Sequence, residues 1–214
     1  MSDVTKLVHN IDNKLLPNID IKSLNPHDPI VVNALPEPWL LLGVGNYAAG
    51  IIHPDFSEYV VKIYAPGRPG IKEEVEVYNR INEHPSFSKC FYYTDNYLIL
   101  KRLNGETLYN CINKGIQIPE RIIKDIDYAL VYAKNLGLSP HDVHAKNVMI
   151  VDGKGVVVDV SDFLKLETCT HWADFKKAYY SIYIPFFYKR HPAIPNFCLN
   201  FIRKSYRSFN ALFK

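Results

Sequence analysis

The chain has 214 residues, 48% of them apolar and 22% charged, an ordinary globular composition with room for one sizeable domain or two small lobes sharing a cleft. A net charge of +3 is too small to argue for nucleic-acid binding, and no specific nucleic-acid signal accompanies it. The four cysteines (Cys90, Cys111, Cys169 and Cys198) lie far apart with no C-x-x-C pair, so they read as reduced, mostly buried thiols of a cytosolic protein. The opening MSDVTKLVHN has no apolar signal core, and the run YYSIYIPFF is too short to span a bilayer, so cytoplasm is the default expectation.

In chain order, residues 1–38 look like an N-terminal extension: a short helix over Val4 to Leu16, then a Pro/Asn-rich loop with one short strand. From Trp39 the pattern becomes β-like. WLLLGVGNYAAGII predicts two strands around a glycine turn, and EYVVKIY a third. IKEEVEVYNRI places Ile71, Val75, Tyr78 and Ile81 at helical spacing. CFYYTDNYLILKRL predicts one or two strands around a turn at Thr94–Asn96. Pro119 opens a long amphipathic helix with the stripe Ile122, Ile126, Ala129, Leu130 and Ala133, and Gly137 ends it. NVMIV and GVVVDV read as two short strands before a helical, aromatic remainder. A β-rich half followed by a helical half predicts an α+β fold of two lobes, with the boundary near Asn104-Gly105: residues 39–104, then 105–214.

Several residues carry potential chemistry. Gly43-Val44-Gly45 between two strands would let backbone N–H groups approach a phosphate, although such a pair is more often a plain hairpin. Lys62 sits inside the apolar run Val60–Tyr64; alternation puts it on one face with Val60, where a cleft-facing ammonium needs an anion. The next helix offers Glu73, Glu74 and Glu76. Asp142, Asn147 and Asp159 lie at the ends of short apolar runs, and their oxygens suit a hard cation such as Mg²⁺. Singly, each has a bland reading as a turn former or a cap. A zinc site from His141, His144, Asp142 or Asp159, Cys169 and His171 lacks any recognised spacing.

The order of these pieces resembles the protein-kinase-like fold: glycine turn, strand Lys, helix Glu, Asp with Asn at plus five, then a strand-end Asp. The resemblance runs from about Leu41 to Phe163 and implies a two-lobed fold with a small, truncated helical second lobe. It implies a glycine-rich loop at Gly43, Val44 and Gly45, and Lys62 holding the ATP phosphates with Glu74 as its partner. Glu73 and Glu76 stay open as alternatives. It further implies a gatekeeper at Leu100, an adenine-contacting hinge over Lys101 to Leu103, a catalytic base at Asp142, and Mg²⁺ (or Mn²⁺) ligands at Asn147 and Asp159.

There are departures. Ala48 replaces the third loop glycine, Pro140 the usual His, Lys101 an often acidic hinge residue, and Asp159-Val160-Ser161 the D-F-G element. His144, two after the implied base, is similar to small-molecule kinases of the aminoglycoside and choline type. The short second lobe is similar to RIO-like and lipopolysaccharide-kinase-like bacterial members. Asp174 would brace the catalytic loop or lie on the surface.

The resemblance thus implies ATP- and Mg²⁺-dependent phosphoryl transfer to a protein Ser/Thr hydroxyl. The alternatives are a small-molecule or sugar acceptor, and a kinase-like scaffold without turnover. From His171 to Lys214 eight Lys/Arg stand against one acid, Asp174, and Asn196 to Lys214 has amphipathic spacing. That tail is expected to complete the second lobe; an acidic partner or a membrane surface is the other reading.

Overall fold

The computed structural model describes residues 2–199. The chain opens with α1 (Asp3–Asn10), capped by the Ser2 hydroxyl and continued by a π-helical turn over Ile11–Leu15. A two-stranded sheet follows, β1 (Asp20–Lys22) with β2 (Val31–Ala34). The main sheet has five antiparallel strands: β3 (Leu40–Val44), β4 (Ala48–Ile52), β5 (Tyr59–Tyr64), β6 (Cys90–Tyr93) and β7 (Tyr97–Lys101). Their spatial order is β3-β4-β5-β7-β6. Between β5 and β6 runs α2 (Ile71–Ile81).

Period-two alternation assigns each face of this sheet to its own core. Ala49, Ile51, Val61, Ile63, Tyr97 and Ile99 face one way and pack with Leu7, Ile11, Leu15, Ile21 and Trp39. The segment expected as an extension is therefore a layer on the sheet, and Tyr97 ties to it through a hydrogen bond to Asp12. Three fully buried side chains, Leu7, Ile11 and Leu15, each contribute about 1.5–3 kcal/mol by leaving water. Ala48, Tyr64, Leu98 and Leu100 face the other way, toward α2 and the helical lobe.

On α2 the inward face is Ile71, Glu74, Val77, Tyr78 and Ile81. Val75, expected in the stripe, is only half-buried.

The second lobe begins with β8 (Glu106–Thr107), which pairs with β9 (Val148–Val151), itself paired with β10 (Lys154–Val157). Two helices lie between β8 and β9. α3 (Leu108–Lys114), not foreseen from sequence, is capped by the Thr107 hydroxyl and stopped by Gly115 at φ +70°. α4 (Glu120–Asn135) buries Ile122, Ile123, Ile126, Ala129, Leu130 and Ala133. It ends at Gly137, φ +74°, whose N–H bonds to Lys134 O while that of Leu138 reaches back to Ala133 O.

α5 (His171–Ala178) continues as a π-helical segment over Tyr179–Phe187 that contains Pro185. One hydrophobic cluster runs from Tyr78, Ile81 and Phe87 to Ile122, Val157, Phe163 and Trp172, so the lobes share a core. The architecture is α+β and two-lobed. The amphipathic tail expected over residues 196–214 lies, from residue 200 on, outside the described residues. No helix of the described residues is long and apolar enough to cross a membrane, and all four cysteines are free thiols.

At the lobe boundary the backbone comes very close to itself: a Cβ on Gly105 would stand 2.1 Å from the Ile150 carbonyl oxygen. Gly105→Ala must displace β9 and should cost about 1–3 kcal/mol in chemical denaturation. Gly43→Ala, where a Cβ meets nothing within 4 Å, should leave stability unchanged. Equal midpoints for the two variants would contradict the close approach.

Candidate active site

Lys62 lies on the central strand β5, where its register partners are Gly50 and Leu98. Its side chain is 17% exposed and reaches two carboxylates, Glu74 at 2.8 Å and Asp159 at 3.2 Å. Glu74 comes from the inward face of α2 and is fully buried. Glu73 is exposed, and Glu76 pairs with Arg80 at 2.7 Å instead. Asp159 emerges two residues beyond β10, and the Ser161 N–H donates to its Oδ1 at 3.1 Å. Tyr64, two residues along β5 on the Lys62 face, donates its hydroxyl to the second Glu74 oxygen at 2.5 Å. Sequence reasoning passes over Tyr64, although period two alone puts it beside Lys62.

The electrostatics follow from this packing. Burial alone would lower the Lys62 pKa, but Asp159 and Glu74 outweigh it and hold the ammonium firmly charged. Burial would raise Asp159; Lys62 and Ser161 reverse that, and its carboxyl sits below its ordinary value. Glu74 goes the other way. Its burial, aided by the charge of Asp159, outweighs the help from Lys62 and Tyr64 and keeps its pKa above the ordinary 4.5. Of the two carboxylates, Glu74 is the one more ready to take a proton.

Lys62 and Asp159 stand at the back of a cleft of about 630 Å³, within the usual range for small-molecule sites. Gly43, Val44 and Gly45 form part of its roof, with Tyr47 and Ala48. Neither Gly43 nor Gly45 has a positive φ, so the backbone conformation does not demand glycine there. Val60, Leu100, Met149 and Val158 make an apolar stretch of wall.

Leu100 is buried, and Lys101 to Leu103 line the edge. Two of the amides along this edge are already used: Lys101 N–H donates to Lys89 O, and Arg102 N–H to Glu58 O. The Lys101 carbonyl accepts from Ser88 Oγ at 2.8 Å. Leu103 N–H has no hydrogen-bond partner among the described residues.

Asn147 lines the same cleft. Its amide nitrogen donates to the Asp142 carbonyl at 3.0 Å, which leaves its oxygen turned away from that bond. Asp142 takes a left-handed φ of +54°, and its carboxylate is about two-fifths exposed. Asp142 Oδ1 lies 3.1 Å from His171 Nδ1 and 3.7 Å from His144 Nε2. Asp174 lies half-buried in the first turn of α5.

The donor set fits a hard cation held jointly with a substrate. Asp159 and Asn147 supply oxygens at one end of the cleft, which suits Mg²⁺ carried on phosphates better than a closed protein cage. Among the described residues, no group of three or more His, Cys, Asp or Glu side chains could hold a metal ion. The zinc reading of His141, His144, Cys169 and His171 therefore has no cluster to rest on.

Lys62→Met should turn Glu74 into a pH sensor. Removing the ammonium leaves only the Tyr64 hydrogen bond to lower the Glu74 pKa, while burial and Asp159 keep raising it. A group whose folded pKa is raised adds stability below its unfolded pKa and loses it as pH climbs through the folded value. The variant should therefore fall further behind the wild type as pH rises from the ordinary carboxylate range to neutrality and above, by about 1.4 kcal/mol for each pH unit that separates the folded Glu74 pKa values of the two proteins. Urea denaturation across that range measures it; a gap that does not change with pH would contradict the pairing.

No protein-family model matches the chain. A curated protein of Bacillus subtilis (strain 168), named "Putative serine/threonine-protein kinase YrzF", is 34% identical over 137 residues. The match covers 63% of this chain and 62% of that protein, so less than two thirds of the relative's length is spanned. The chain is thus similar in sequence to a kinase-like phosphotransferase, and its α+β, two-lobed architecture is kinase-like as well.

Proposed function

We propose that the protein transfers the γ-phosphoryl group of ATP, with Mg²⁺ (or Mn²⁺), to a hydroxyl on a protein serine or threonine. The observation that carries this reading is the convergence of Glu74 and Asp159 on Lys62, in a cleft that Lys62, Asp159 and Asn147 all line. Phosphoryl transfer asks little covalent chemistry of a protein. It asks for positioning and for positive charge where negative charge develops.

Each residue has a defined part. Lys62, held in one place by two carboxylates, presents a fixed ammonium to the phosphates. Glu74 is not on the cleft wall; it acts by holding Lys62. Gly43, Val44 and Gly45 cover the phosphates, and Leu100 with the Lys101–Leu103 edge receives the adenine. The unpartnered Leu103 N–H is the hinge donor open to a base. Asp159 and Asn147 would hold the cation, which when bound offsets charge on the phosphate oxygens. Asp142 orients the acceptor hydroxyl and takes its proton.

The Bacillus relative's name supports a protein acceptor. A small-molecule hydroxyl is the second reading, favoured by His144, whose imidazole stands 3.7 Å from the Asp142 carboxylate where protein kinases usually have Lys.

Asp142→Asn should abolish transfer of labelled γ-phosphate from Mg²⁺–ATP, by at least about a hundredfold, and leave ATP binding intact. Transfer is read on a generic protein acceptor and as autophosphorylation. Full activity in the variant would remove Asp142 from its role. Failure of the wild type to bind ATP at all would overturn the nucleotide reading.

A further inference from the structure

Asp142 is gripped by a segment that the kinase-like motifs do not include. Three bonds join residues 167–171 to His141 and Asp142. The Glu167 carbonyl meets His141 Nδ1 at 3.2 Å, Cys169 Sγ accepts the Asp142 N–H at 3.3 Å, and His171 Nδ1 meets Asp142 Oδ1 at 3.1 Å. The first holds the neighbouring His141 side chain, and the second holds the backbone of Asp142 itself, which lies in the left-handed region at φ +54°. The third fixes its side chain. Residue 171 is the first residue of α5, so the imidazole is mounted on a helix whose Trp172 is buried and hydrogen-bonded to Asp127 at 2.8 Å.

We infer that His171 is a positioning residue for Asp142, donating Nδ1–H to one carboxylate oxygen so that the other faces the acceptor hydroxyl. This rests on the role proposed above for Asp142. The direction of the bond follows from chemistry: an ionised carboxylate only accepts, so the proton lies on His171 Nδ1. His144 does not duplicate it. Its Nδ1 accepts the Lys146 N–H at 3.2 Å, and its Nε2 stops 3.7 Å short of Asp142, beyond hydrogen-bond distance. Asp142 Oδ2 has no hydrogen-bond partner among the described residues, so one oxygen is held and one is left open. Neither Asp142 nor His171 lines the cleft that holds Lys62, so His171 acts through Asp142 and not on the nucleotide.

The test has two arms on the full-length protein. In the first, long-range ¹⁵N–¹H correlation on imidazole-labelled protein reads the His171 tautomer. The wild type should show Nδ1–H, and Asp142→Asn, whose amide no longer compels that donation, should lose the preference. An Nε2–H tautomer in the wild type overturns the inference, whatever the protein's activity. In the second arm, His171→Ala should lower kcat by roughly ten- to a hundredfold, the scale of one hydrogen bond to a charged group, with KM for ATP unchanged. His171→Asn, whose amide nitrogen can stand where Nδ1 stood, should restore most of the rate. Wild-type kcat in the alanine variant, or an asparagine variant as slow as alanine, overturns the inference. Absence of any transfer by the wild type would instead count against the function proposed above, and the tautomer arm would still decide on His171.

Discussion

The structure is organised around a buried ammonium. Lys62 is held on the middle strand of a five-stranded sheet with 17% exposure, and taking such a charge out of water costs several kcal/mol unless its geometry is well met. Everything close to it meets that demand. The β5 register aims it off one face, α2 turns Glu74 inward among Ile71, Tyr78 and Ile81, and the exit from β10 brings Asp159 to the same nitrogen. Tyr64 and Ser161 then satisfy the carboxylates in turn. Lys62 and Glu74 precede the lobe boundary and Asp159 follows it, so this one cluster fixes how the two halves meet. The shared hydrophobic cluster beneath it, from Tyr78 to Phe163, resists any rearrangement that would part them.

Much of this was legible because it depends on local periodicity. Strict alternation in VVKIY puts Lys62 opposite Val61 and Ile63, and the folded sheet keeps that division. The α4 stripe and its glycine stop were equally plain, since a 16-residue amphipathic helix has many turns over which to declare itself. What escapes the sequence is short or remote. α3 has seven residues, too few for a periodic signal, although Thr107 and Gly115 mark its two ends. On α2 an apolar bias favours Val75, while the helix turns Glu74 and Val77 inward, because the Lys62 ammonium as well as a core lies beneath it. Among Glu73, Glu74 and Glu76 the resemblance favours Glu74, and the fold sets that carboxylate on Lys62 while Glu73 is exposed and Glu76 pairs with Arg80. His171 lies 29 residues from Asp142, and nothing local links them; only the loop that folds back does so.

The departures from the family pattern take on physical meaning in this setting. Ala48 is a strand residue with its side chain buried on the α2-facing core, so a glycine's freedom is not needed there. Ser161 replaces a glycine, and its N–H still anchors Asp159. Pro140 removes a side chain that could have braced the loop carrying Asp142, and the bonds from residues 167–171 hold that loop instead. None of these changes empties the positions that would touch phosphate or cation.

The glycine-rich turn is restrained from a direction that its own sequence does not disclose. Ile30 N–H donates to the Gly45 carbonyl, which ties the turn to the N-terminal layer. Arg68 grips the carbonyls of Asn25, Pro26 and Asp28, and its guanidinium lies 5.8 Å from the Tyr47 ring centre. Lys165, paired with Asp162, lies 5.9 Å from the same ring. Tyr47 is thus placed between a cation from its own lobe and one from the segment beyond Asp159. Contacts of this kind are worth about 0.5–2 kcal/mol each. The backbone bond to Gly45 and the threefold grip on Arg68 are stronger together. The N-terminal layer therefore helps set where the turn rests, and Tyr47 ties it also to the segment beyond Asp159.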